Sequence, residues 1–124
     1  MVDAFQYLDF EFSEDEQGLG TFDAMASTRI QQVEAVRAEI ARVLDWAHTA
    51  FPGACGSLDD GAEWDFCLQA QQEWAALEAL AYDARSRQLT SRLEAPGASL
   101  HTVTLSLSGS PQFCEAFRAR FSID

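Results

Sequence analysis

A chain of 124 residues with 48% hydrophobic and 23% charged side chains has the size and composition of one folded domain, not of a disordered acidic tail. The formal net charge of -12, with eight arginines and no lysine, excludes the basic patch that phosphate binding requires, so neither nucleic acid nor an anionic membrane is the expected partner. No apolar run approaches the roughly 20 residues of a membrane-spanning helix, the N-terminal stretch MVDAFQYLDF has no basic leader, and three cysteines are an odd number for a disulfide framework; a cytoplasmic chain with reduced thiols is expected. The lack of lysine and asparagine beside abundant alanine and arginine is a GC-rich coding bias, expected of a bacterial source.

The acids are unevenly spread. Residues 1–27 hold seven acids and no base, and residues 51–73 hold five acids and no base, whereas 28–50 and 74–124 are each balanced. A cationic partner fits this asymmetry.

In chain order, Phe5 to Phe12 alternates, with Leu8, Phe10 and Phe12 opposite Tyr7, Asp9 and Glu11, and predicts a half-buried strand. Thr21 to Ser27 repeats the pattern, with Phe22, Ala24 and Ala26 on one face and Asp23 on the other. The connecting segment EFSEDEQGLG invites a calcium reading, but with Gly18 at the sixth loop position Ala24 stands where the bidentate glutamate belongs. A hairpin tip with glycine geometry and solvated acids is the expectation instead.

Thr28 followed by Gln31 predicts a capping box at the start of a helix over 28–50, with Ile30, Val33, Val36, Ile40, Val43, Leu44 and Ala47 as its apolar stripe. Phe51-Pro52-Gly53 ends it, and Gly56, Asp59, Asp60 and Gly61 mark a loop. From Glu63 to Trp74 the alternation is clearest: Trp64, Phe66, Leu68, Ala70 and Trp74 against Glu63, Asp65, Cys67, Gln69, Gln71 and Glu73. Residues 70–88 carry both helical composition and a possible hairpin, in which Leu80 to Asp83 and Leu89 to Leu93 flank the turn Ala84-Arg85-Ser86-Arg87; the hairpin is preferred. Leu100 to Ser108 is a further strand with a hydroxyl row, Thr102, Thr104, Ser106 and Ser108. Ser110 and Pro111 then open a short helix whose stripe is Phe113, Phe117 and Phe121.

The order β-β-α-β-β-β-β-α predicts a single α+β domain over 1–124, a two-layer arrangement in which two helices cover one face of a mainly antiparallel sheet. The uncovered face then collects the polar parity. Asp9, Glu11, Asp23, Glu63, Asp65 and Gln69 are its candidate partner-binding residues.

The chemical candidates are weaker. Acid–base work by Asp9, Asp23 and Asp65 needs burial or close like charge, which a solvated sheet face does not supply. His101 has the opposite parity to Ser106 and Ser108, and LSLSGS lacks the first glycine of a nucleophile elbow. His48, Cys55 and Cys67 are spaced by seven and twelve residues, unlike compact zinc motifs. Cys114 reads as a core residue, Cys67 as exposed, and Trp46, Trp64 and Trp74 as core. No catalytic residue, metal or cofactor is assigned. The expectation is a small acidic interaction protein that docks a basic protein, as an immunity protein or inhibitor does. A carboxylate-based or metal-dependent enzyme and a DNA mimic are the alternatives.

Overall fold

The computed structural model describes residues 5–74, 76–96 and 99–123; Asp3 and Asp124, both part of the acid count, lie outside them. Six strands and two helices follow in the predicted order: β1 (Glu11–Glu14), β2 (Gly20–Arg29), α1 (Val33–Ala50), β3 (Trp64–Glu73), β4 (Ala76–Asp83), β5 (Gln88–Pro96), β6 (Leu100–Gly109) and α2 (Pro111–Phe121). The fold is α+β with antiparallel strand pairing. The strands do not join one sheet, however: β1-β2-β6-β3 form four neighbours, and β4-β5 form a separate hairpin.

The central strand is β6, which pairs along its whole length with β2 on one side and β3 on the other. Its odd residues turn towards the helices, and Leu105 and Leu107 there are fully buried. Opposite them stand Phe22, Ala24 and Ala26 of β2, also buried, so the period of two read from the sequence is the period of the core.

Helix α2 begins as predicted. Ser110 accepts the Phe113 amide through its Oγ at 3.1 Å, and Pro111 occupies the first turn. Phe113, Phe117 and Phe121 are all buried. The Phe113 ring stacks on Trp64 at 5.6 Å between centroids, and Phe117 meets Phe22 at 4.4 Å. This approach is possible because residue 109 is glycine, where an added Cβ would come within 2.3 Å of the Phe113 ring.

Helix α1 buries Val36, Ile40, Val43 and Ala47 but starts later than its periodicity suggests. Thr28 belongs to β2, opposite His101, so it caps nothing. A short 3-10 turn over Ile30–Gln32 intervenes, where the Gln32 side chain accepts the Arg29 amide at 3.0 Å, and Ile30 is exposed. The long β2 ladder outcompetes one local cap, since it satisfies the backbone of Thr28 and Arg29 within the sheet.

The predicted strand over Phe5–Phe12 is also corrected, because only Glu11–Glu14 pairs. Residues 5–10 instead fold back over the helices. The Glu39 carboxylate of α1 accepts the amides of Gln6, Tyr7 and Leu8 at 2.9–3.1 Å, replacing a ladder partner. Leu8 is buried, and Phe5 and Phe10 lie against Phe121 and Phe117. Alternation cannot separate a strand from an extended segment whose amides are satisfied by a side chain.

Along β3 the apolar parity is right but the burial is not. Trp64 is fully buried, whereas Phe66, Leu68 and Trp74 are exposed, against the expectation of a core Trp74. Helix α1 packs on β2 and α2 on β2 and β6, and the two reach β3 only at Trp64, which meets His48 and Phe113, so the rest of the edge strand lies beyond their cover.

Glu39→Ala is expected to lower stability by about 1–3 kcal/mol in urea unfolding, because three amides lose their acceptor together. Amide exchange localises the effect: Tyr7 and Leu8 should lose protection while Leu105 and Leu107 keep it.

Candidate interaction face

The β1–β2 connection is the tip of an antiparallel hairpin. Asp15 spends its carboxylate on the chain itself, its Oδ1 accepting the Gln17 and Leu19 amides, each at 2.9 Å, and Gly18 supplies a φ of 84°. Among the described residues, no group of three or more His, Cys, Asp or Glu side chains is arranged to hold a metal ion.

The register sets out the uncovered face row by row. Ser13, Thr21, Ser108 and Asp65 form one row across the sheet; Glu11, Asp23, Ser106 and Cys67 form the next; then come Met25, Thr104 and Gln69, and Ser27, Thr102 and Gln71. Side-chain hydrogen bonds run along these rows. Ser106 donates to Asp23, Thr21 Oγ1 lies 3.3 Å from Ser108 Oγ, and Ser27 Oγ lies 2.9 Å from Thr102 Oγ1. The polar parity of three strands therefore shares one surface.

The six candidate residues do not all converge on it. Asp9 precedes β1 and joins Glu11, Asp23, Met25 and Thr104 around one shallow surface depression. Glu11 and Asp23 face each other directly across β1 and β2, and no arginine pairs with either among the described residues. Asp65 and Gln69 lie on the same face but across β6, so Asp65 is about 10 Å or more from Asp23 at the ordinary strand spacing. Asp65 accepts the Phe66 amide at 2.8 Å. Glu63 is diverted to structure: it is half-buried ahead of β3 and accepts the Ser110 hydroxyl at the start of α2.

More negative charge gathers at one end of the sheet. Glu14 and Asp15 of the hairpin tip border the same depression as Leu58 and Ser108, which places the Leu58–Asp60 turn, with Asp59 and Asp60, beside the tip. At the opposite end, the row Arg29, Leu100 and Glu73 leads into the β4–β5 hairpin. Glu14 and Asp15 from one acid-rich stretch and Asp59 and Asp60 from the other, far apart in sequence, thus meet at one pole.

The cysteines and histidines do not assemble a nucleophilic centre. Burial pushes the Cys114 thiol up, with Glu14 adding to the shift and the Gly20 backbone and Arg118 opposing it; burial and then Asp65 push Cys55 up. Both are held as thiols, the unreactive form. Cys67 is exposed in the row with Asp23. The His48 ring packs edge-on against Trp64 at 4.9 Å, and His101 Nε2 lies 3.1 Å from the Ser99 hydroxyl, away from Ser106 and Ser108. No helix among the described residues is long and apolar enough to cross a membrane.

No protein-family model matches the chain, and no curated protein or solved structure shows detectable similarity to it.

Alkylation at neutral pH is expected to label exposed Cys67 rapidly, half-buried Cys55 more slowly and buried Cys114 only after denaturation, as read by peptide mass spectrometry. Because the folded state holds the Cys114 proton more tightly, its stabilising contribution is full below the ordinary thiol value of 9.0 and is lost as pH rises past it. Prompt labelling of Cys114 in the native protein at neutral pH contradicts this arrangement.

Proposed function

We propose that the protein is a non-enzymatic interaction protein that docks a basic protein partner on its uncovered sheet face, in the manner of an immunity protein or inhibitor. The observation that carries this reading is the direct juxtaposition of Glu11 and Asp23, with Asp9 beside them, on a face no helix covers. Like charges directly opposite on paired strands destabilise the sheet by some ~0.2–1 kcal/mol. An arginine- or lysine-rich surface laid on this row relieves that repulsion, so the partner gains what the free protein loses. The acid pole formed by Glu14, Asp15, Asp59 and Asp60 extends the same field and speeds encounter with a cation-rich protein.

The enzyme reading finds less support. Asp23 and Asp65 stand a strand apart, too far to share a proton or grip one cation, and Asp9, Glu11 and Asp23 rim an open depression instead of an enclosed pocket. A DNA mimic needs a ridge of regularly spaced carboxylates. Here the acids of the face are interrupted by the β6 hydroxyl row.

Affinity capture with the immobilised chain tests the proposal. Basic proteins should be retained at low ionic strength and released at high. The double variant Glu11→Gln/Asp23→Asn should retain them at least about tenfold less while unfolding at the same temperature as the native chain or slightly above it, since the variant removes a repulsion. Retention that ignores ionic strength, or that survives the double substitution, overturns the reading.

A further inference from the structure

The β4–β5 hairpin is an arm with an apolar face that no described residue covers. Every described residue from Glu78 to Arg92 is exposed except Ala79, which is half-buried. The register sets Tyr82 opposite Leu89 and Leu80 opposite Ser91, so Leu80, Tyr82 and Leu89 share one face; they are 65%, 63% and 68% exposed. The arm closes on a tight turn in which the Asp83 carboxylate accepts the Arg85 amide and the Asp83 carbonyl accepts the Arg87 amide. A hairpin this well specified, presenting three large apolar residues to water, lacks the surface that would account for them.

A matching surface exists on the same chain, with which the arm does not pair. Strand β3 is the edge of the four-stranded sheet, and among the described residues its outer side pairs only through one bridge between Cys55 and Trp64. Phe66 and Leu68 are 37% and 44% exposed beyond the cover of the helices, and Trp74, of the same parity, is 68% exposed just past the strand end. The eight residues of β4 span about 26 Å and the ten of β3 about 33 Å at ordinary strand rise, so the arm is long enough to cover most of this edge.

We propose that this surface is occupied by a second copy of the chain: in a two-fold dimer, the arm of each copy lies antiparallel along β3 of the other. Together Phe66, Leu68, Trp74, Leu80, Tyr82 and Leu89 expose on the order of 700 Å², close to the ~800 Å² each partner contributes to a standard interface. Charge selects the direction. The arm tip carries Arg85 and Arg87 in an otherwise acidic molecule, while residues 51–73, which lead into and form β3, hold five acids and no base. Antiparallel alignment sets the basic tip of one copy beside Asp59, Asp60 and Asp65 of the other, whereas elsewhere two chains of net charge -12 repel. The contact is the same patch on both copies, so it closes as a dimer and does not propagate. It leaves the paired Glu11 and Asp23 uncovered, and so is independent of the docking proposed above.

Sedimentation equilibrium of the full chain over a micromolar concentration series tests this. The native protein should sediment at twice the 13.7 kDa chain mass. Tyr82→Asp/Leu89→Asp, on the arm, and Leu68→Asp, on the receiving strand, should each sediment as monomers, with unchanged far-ultraviolet dichroism because these side chains lie outside the core. Arg85→Glu/Arg87→Glu should weaken association at least about tenfold, and more so at low ionic strength. A native protein that is monomeric at tens of micromolar, or a dimer indifferent to both apolar variants, overturns the proposal.

Discussion

The structure depends on how β6 is held between β2 and β3. Because side chains alternate with a period of two, one choice of register decides at once which residues of three strands face the helices and which face water. The register found sets Leu105 and Leu107 of β6 against Ala24 and Phe22 of β2 and so builds the core. The same register leaves Asp23, Ser106 and Cys67 in one outward row, with Glu11 beside them. Core and candidate face are two consequences of one pairing.

The helices turn that pairing into an asymmetric molecule. The stripe of Phe113, Phe117 and Phe121 fixes α2 over β2 and β6, where Gly109 admits the Phe113 ring against the sheet. Glu39 on α1 then collects the amides of residues 6–8 and draws the N-terminal aromatic residues over the same side. Both helices lie over β2, with α2 reaching β6 as well, so β3 beyond Trp64 is left with apolar residues in solvent, and the chain continues from it into an arm that is equally apolar on one face. One surface is therefore acidic and polar, suited to a basic partner, and a second is apolar with a basic tip, suited to another copy.

Much of the fold is legible in the sequence, and the exceptions share a cause. The hairpin tip at Gly18, the β6 hydroxyl row and the Ser110-Pro111 helix start follow from local signals strong enough to stand alone, whereas residues 70–88 carry helical composition and hairpin pattern together and the structure takes the hairpin. Phe5 to Phe10, Thr28 and Trp74 mislead because their fate is tertiary. Whether an extended segment pairs, whether a capping signal is used and whether an apolar residue is covered depend on what lies opposite, and sequence period carries no record of that. Nor does the helical period mark Glu39 as the acceptor of three distant amides. On the candidate face, the alternation of β1 and β2 carries Glu11 and Asp23 to one side, whereas Asp9 joins them from a segment ahead of β1 that does not pair. Alternation carries no record that Asp65 sits across β6 from them, since strand order is not written in it, nor that Glu63 accepts the Ser110 hydroxyl.

Interstrand NOEs in an isotope-labelled sample measure the pairing of β6 directly. The account predicts contacts that place Ser106 between Asp23 on one side and Cys67 on the other, with Leu107 between Phe22 and Phe66. A register displaced by one residue on either side, setting Asp23 or Cys67 opposite Leu105 or Leu107, would turn the acids inward and contradict the core, the open face and the function inferred from it.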